Sequence, residues 1–214
     1  MNFGIVVFPD VEELDFTGPW EMLSVWRLVD ESAPKPLIVA QSAAALSCVN
    51  GLSINPHASF ADCPPLDFLL VPGGRGTRRE VDNPALIDFI AERARTCQAV
   101  LSVCTGAFLL HRAGLLSGKR ATTAWTELDR LRALGDVRVV EERFVQDGNA
   151  WSSAGVSAGI DLTLAFIASV AGEGIAGQVQ ASTEYFPSGK LYGQFHKRPE
   201  APAYVKEKNR LSRS

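Results

Sequence analysis

Cys104 has the setting in this chain that best suits covalent chemistry. It follows the apolar run Ala99-Val100-Leu101-Ser102-Val103 and precedes Thr105-Gly106-Ala107-Phe108-Leu109-Leu110, a helix-forming stretch with a small residue at its second position. A side chain at such a strand-to-helix corner projects above the strand ends, where open α/β sheets hold their ligands. The free N–H groups and positive dipole end of the following helix favour thiolate, which predicts a lowered pKa and a nucleophilic sulfur. The alternative is a buried, inert thiol, the common state of a free cysteine. Cys48, Cys63 and Cys97 have no comparable setting and are assigned that inert role.

A covalent intermediate on sulfur needs donors for its developing negative charge. The turn Val71-Pro72-Gly73-Gly74-Arg75-Gly76 ends a second apolar run, and its glycines can bring backbone N–H groups into the same crevice. Gly73 and Gly74, with the N–H of Thr105 or Gly106, are therefore the expected oxyanion hole. Phe16, Trp20 and Trp125 are candidate walls of an apolar substrate pocket, although each suits a core position equally.

The proton partner of the sulfur is less obvious. His111 lies seven residues beyond Cys104 on one helix, on the same face but about 10 Å further along the axis, too far to touch it. His57 follows Asn55-Pro56 in a loop and His196 lies in a polar C-terminal stretch, so both read as surface histidines. A carboxylate is the better candidate. Asp15 stands between Leu14 and Phe16, an unusual place for a merely solvated acid. Its position before Thr17-Gly18-Pro19 suits a turn or helix cap equally well, and the residue pattern leaves both roles open. Glu21 reads as a solvated helical residue, with a second acid as the alternative.

The elements that must position these residues alternate along the chain. Strands are predicted near 3–8, 37–40, 67–71 and 98–103, and helices near 18–29 and 84–96, which implies parallel βαβ units with helices covering both faces of a sheet. Asn50-Gly51 predicts a tight hairpin. A second hairpin is predicted from 137–140, 143–145 and 150–152 around Asp147-Gly148, so the sheet is expected to be mixed. The apolar run from Asp161 to Ala168 predicts a buried helix. One α/β domain over 1–190 and an arm or flexible tail over 191–214 are expected.

The chain has 214 residues, 46% hydrophobic and 21% charged, with a formal net charge of −3, so its overall balance gives no attraction for nucleic acid or anionic lipid. Lys197, Arg198, Lys206, Lys208, Arg210 and Arg213 form a basic C-terminal run that reads as a solvated tail. The chain enters a strand almost at once and shows no leader pattern or membrane-length apolar run, which predicts a cytoplasmic location without a membrane partner. The four cysteines form no Cys-x-x-Cys pair and no zinc-type spacing with histidine, so neither a metal nor another cofactor is expected.

Several stretches together resemble the ThiJ/PfpI family of the class I glutamine amidotransferase-like superfamily. They are Leu14-Asp15-Phe16-Thr17-Gly18-Pro19-Trp20-Glu21, Leu70-Val71-Pro72-Gly73-Gly74, Val103-Cys104-Thr105-Gly106-Ala107, the run from Ala113 to Thr123, and the run from Ser153 to Asp161. The resemblance implies a flavodoxin-like three-layer fold and a homodimer. Its isonitrile hydratase branch implies addition of water to an isonitrile, with Cys104 as nucleophile and Asp15 as the acid beside it. A second branch implies the small-molecule or redox-sensing domain of AraC-type regulators, and related folds imply glyoxalase- or deglycase-like action on reactive carbonyls. About thirty residues follow Glu184-Tyr185, fewer than a helix-turn-helix portion needs, which favours the enzyme branch. Thr105 stands where protease-like relatives carry histidine, which weighs against peptidase activity. Ala124 stands where many relatives of the hydratase branch carry histidine, a departure within the expected pocket.

Overall fold

The computed structural model describes residues 1–206, so Lys208, Arg210 and Arg213 of the basic run lie outside the described residues. The apolar runs become the parallel strands β1 (Asn2–Val6), β2 (Lys35–Ala40), β3 (Ala58–Ser59), β4 (Phe68–Val71) and β5 (Ala99–Val103). Every residue of β4 and β5 is buried, as strands covered on both faces require. A hairpin of β6 (Phe144–Asp147) and β7 (Ala150–Ser153) completes a seven-stranded sheet in the order β6-β7-β5-β4-β1-β2-β3. β6 runs antiparallel to β7, and β7 runs parallel to β5. The mostly parallel, flavodoxin-like sheet with helices on both sides is the observed architecture.

The longer helices are α1 (Glu13–Val29), α2 (Pro84–Ala94), α3 (Gly106–Arg112), α4 (Ala158–Ala171) and α5 (Glu173–Ser182). α1, α4 and α5 pack on one another over one face, and α2 packs with α3 against β4 on the other. Phe166 of α4 locks the first layer to the sheet. Its ring centroid lies 5.1 Å from that of Phe68, 5.6 Å from Phe3, 5.9 Å from Trp151 and 6.5 Å from Trp26, near-perpendicular arrangements that suit aromatic quadrupoles.

Four departures from the sequence reading are informative. α1 begins at Glu13 rather than near residue 18, so Asp15 lies in its first turn and Pro19 is internal. An internal proline removes the N–H that would bond the Asp15 carbonyl, yet Phe16, Met22, Leu23 and Trp26 bury a continuous face that carries the helix across it. The second predicted hairpin is shorter than expected: Arg138–Val139 pairs with Arg120–Ala121 in a separate parallel ribbon. α4 is not buried all round, since Val170 is 45% exposed and Leu164 and Ala168 are half-buried. The segment from 191 to 206 is no free arm, because Phe195 packs on Trp125 at 5.0 Å, Ala201 is buried and the Ala203 N–H donates to Glu141 at 3.2 Å.

The Asn50-Gly51 turn does join an antiparallel pair, Leu46–Ser47 with Ser53–Ile54, and Gly51 there has a φ of 92°, a conformation that favours glycine. Among the described residues no helix is long and apolar enough to cross a membrane. β1 leads to β2 on one side and is flanked by β4 on the other, so the chain reverses its winding between β1 and β4. Their carboxyl ends border the crevice in which such sheets place ligands.

Candidate active site

Cys104 occupies the corner between β5 and α3 with a φ of 57°, a left-handed conformation that costs a non-glycine residue strain and recurs at functional turns. The corner is held from three sides. The Cys104 N–H donates to the Ser153 and Ala154 carbonyls at 3.2 Å each, and its carbonyl accepts a 2.7 Å bond from the Thr123 hydroxyl. Gly106 lets α3 approach β4, because a Cβ there would collide with the Val71 carbonyl oxygen.

Asp15 reaches the same point from α1. It is fully buried, and the Gly73 N–H donates to its Oδ2 at 2.8 Å. Its other oxygen, Oδ1, is buried without a hydrogen-bond partner among the described residues, an unusual state for a carboxylate. Burial raises the Asp15 carboxyl to about 7, opposed by the Gly73 N–H and reinforced by the negative charge of Glu12. The Val156 N–H and the Cys104 thiol also favour the ionised carboxylate. Asp15 is therefore a proton acceptor poised near neutrality, where a general acid–base group is most effective.

The thiol corrects the sequence expectation. Burial, and then the Asp15 charge, push Cys104 up to about 12, although the N–H and hydroxyl of Thr105 and the Val156 N–H act in the opposite sense. The short helix α3 does not overcome the loss of water, so a free thiolate is disfavoured. The arrangement can instead produce thiolate by passing the proton from sulfur to the neighbouring Asp15.

The expected oxyanion donors are also rearranged. Gly73 spends its N–H on Asp15, and Gly74 donates to Thr105 Oγ1 at 3.0 Å. These glycines position the acid and Thr105, and the N–H groups turned towards the sulfur belong to Thr105 and Val156. A Cβ at Gly73 would lie 2.6 Å from the Thr105 nitrogen and 2.9 Å from Asp15 Oδ2, so glycine is required by the closeness of the three segments.

Of the expected pocket walls, Phe16 belongs to the core and Trp20 stacks on His57 at 5.3 Å. Trp125 follows Ala124, whose Cβ faces Gly155, and a Cβ at Gly155 would lie 3.8 Å from the Cys104 sulfur. Cys104 is half-buried, and Gly155 and Ala124 close in beside its sulfur, so the approach to it is narrow. His111 pairs with Asp136 at 2.7 Å, whereas both ring nitrogens of His196 are buried without partners, unlike a surface histidine.

Sequence reasoning missed Val156, Thr123 and Thr77. Val156 acts through its backbone at a φ of 54°, a strained value for a β-branched residue that no residue type announces. Thr77 donates to the Gly74 carbonyl at 2.7 Å and lies 3.1 Å from Thr105 Oγ1, joining the glycine turn to the elbow.

Comparison with known proteins agrees with this architecture. The DJ-1/PfpI family model matches residues 3–169. The chain is 38% identical over 188 residues to isonitrile hydratase from Pseudomonas putida, covering 88% of this chain and 80% of the relative. It is 29% identical over 191 residues to the HTH-type transcriptional regulator CdhR of Pseudomonas aeruginosa, covering 89% of this chain and 56% of the regulator. A crystal structure of a ThiJ/PfpI family protein from Pseudomonas syringae superposes with a TM-score of 0.83 at 32% identity, over 99% of this chain and 86% of that one. With a family match over most of its length and the elbow, glycine turn and buried acid in one crevice, this chain belongs to the DJ-1/PfpI family.

Proposed function

We propose that this protein hydrates isonitriles to N-substituted formamides, with Cys104 as nucleophile and Asp15 as its proton partner. The observation that carries the reading is the buried Asp15, raised to about 7 beside a cysteine held on a strained elbow. The 38% identity to isonitrile hydratase supports the substrate class.

Asp15 takes the thiol proton while the sulfur attacks the terminal isonitrile carbon, and the protonated Asp15 returns that proton to the carbon, giving a thioformimidate. Water then adds to this carbon, giving one proton to Asp15 and the other to the nitrogen, so that the oxygen is left as an oxyanion. Collapse breaks the carbon–sulfur bond, releases the formamide and restores the thiol with the proton held by Asp15. The net change is addition of one water. The N–H groups of Thr105 and Val156 favour the thiolate form that attacks in the first step and leaves in the last. An isonitrile head is linear and carries no substituent on its reacting carbon, which suits the narrow approach beside Gly155 and Ala124. No metal or cofactor is needed for these steps, and the reading includes a cytoplasmic homodimer.

The test is formamide production from cyclohexyl isocyanide by wild type, Cys104→Ala and Asp15→Asn. Product from wild type that is lost in both variants is the expected result. No product from folded wild type overturns the reading in favour of a sensor, which the similarity to a transcriptional regulator supports.

A further inference from the structure

A cavity of about 640 Å³ has Ser157, at the end of the 154–157 turn, in its wall. Its walls combine apolar surface from Pro187, Leu191 and Val205 with the polar groups of Arg143, Asp161 and Lys190. That volume lies within the range of small-molecule sites. Two cations face one acid there. Asp161 Oδ2 is already shared by Arg143 Nε at 2.8 Å, Arg143 Nη2 at 2.7 Å and the Tyr185 hydroxyl at 3.3 Å. Among the described residues Arg143 Nη1 meets no acceptor, and Lys190 lies over the Tyr192 ring at 4.9 Å rather than on a carboxylate. An apolar chamber with surplus positive charge at its rim suits an amphipathic monocarboxylate.

The cavity wall is also part of the support of the elbow. Arg143 Nη2 donates to Ser157 Oγ at 3.1 Å, and Ser157 follows Val156, whose N–H acts on both Asp15 and Cys104. The Arg143 carbonyl accepts from the Ala154 N–H at 2.9 Å, and the Ala154 carbonyl accepts from the Cys104 N–H at 3.2 Å. Two short routes thus run from one arginine to the reactive pair.

We propose that this cavity is an effector site for an amphipathic monocarboxylate, and that its occupancy alters the reactivity of Cys104 through Arg143 and the 154–157 turn. The carboxylate pairs with Arg143 Nη1 and Lys190, and its apolar body lies against Leu191 and Val205. Drawing Arg143 towards the ligand loosens its hold on Ser157 and shifts the Val156 N–H. This inference needs a reactive Cys104 but not the isonitrile chemistry, so it stands or falls separately from the hydration reading.

The test uses the full chain with 4-phenylbutyrate as probe, its neutral amide as control, and iodoacetamide to report on Cys104. The expected result is saturable calorimetric binding of the acid, at least tenfold weaker for the amide and for Lys190→Gln, an exposed position whose change leaves the fold intact. Saturation is expected to change the Cys104 alkylation rate at least twofold, and Arg143→Gln to abolish that change. No saturable binding, equal binding of acid and amide, binding indifferent to Lys190→Gln, or an alkylation rate unmoved at saturation would each overturn the proposal.

Discussion

The Gly73 N–H donates to Asp15 Oδ2 across 2.8 Å and so ties the turn after β4 to the first turn of α1, beside Cys104. This bond fixes the acid while its other oxygen meets no hydrogen-bond partner among the described residues.

Gly73→Ala is expected to disable the site. A methyl group there would lie 2.9 Å from Asp15 Oδ2 and 2.6 Å from the Thr105 nitrogen, and two well-packed backbones cannot yield without separating acid from thiol. Alkylation of Cys104 by iodoacetamide, followed by intact mass at pH 8, is expected to slow at least tenfold while circular dichroism stays native.

Asp15 also sets a pH signature. Its carboxyl titrates at about 7 in the folded protein against an ordinary 3.8, so the folded state binds a proton that the unfolded chain has released. The resulting stabilisation is complete below about pH 4 and is lost as pH rises through about 7, a difference of about 4 kcal/mol. Urea unfolding of wild type is expected to show declining stability between these limits, and Asp15→Asn to flatten that decline. Alkylation runs the other way, rising through pH 7 as the acceptor ionises, and this step is expected to vanish in Asp15→Asn.

Thr123→Val tests the clamp on the elbow. It removes the 2.7 Å hydroxyl bond to the Cys104 carbonyl and leaves that acceptor only the longer 3.4 Å bond from the Ala107 N–H, at a strained backbone position. A loss of about 0.5–1.5 kcal/mol in unfolding free energy is expected, with slower alkylation of Cys104.

Phe166→Ala tests the layer that carries Asp15. Its ring meets four other aromatic rings and is 1% exposed, so truncation opens a cavity between α4, α1 and the sheet. A cost of about 3–5 kcal/mol in chemical denaturation is expected, a large fraction of the stability of a domain this size.

The sequence by itself determined the parallel sheet, the elbow cysteine and the candidate acid. Buried parallel strands must be continuously apolar, and a reactive group at a strand end stands out against such runs; both facts are local and survive in the residue order. Tertiary structure alone decided the rest. Asp15 suited a cap or a pocket acid equally in the residue order, and only the fold shows that α1 starts before it and buries it against Gly73. Gly73 and Gly74 looked like oxyanion donors because a glycine turn reveals available N–H groups but not which neighbours claim them. Val156 was invisible because it contributes backbone, not side chain. The Cys104 thiol was misjudged because its helix is local whereas its burial, and the charge of Asp15 placed beside it, arise from segments 89 residues apart in the chain brought together by the sheet.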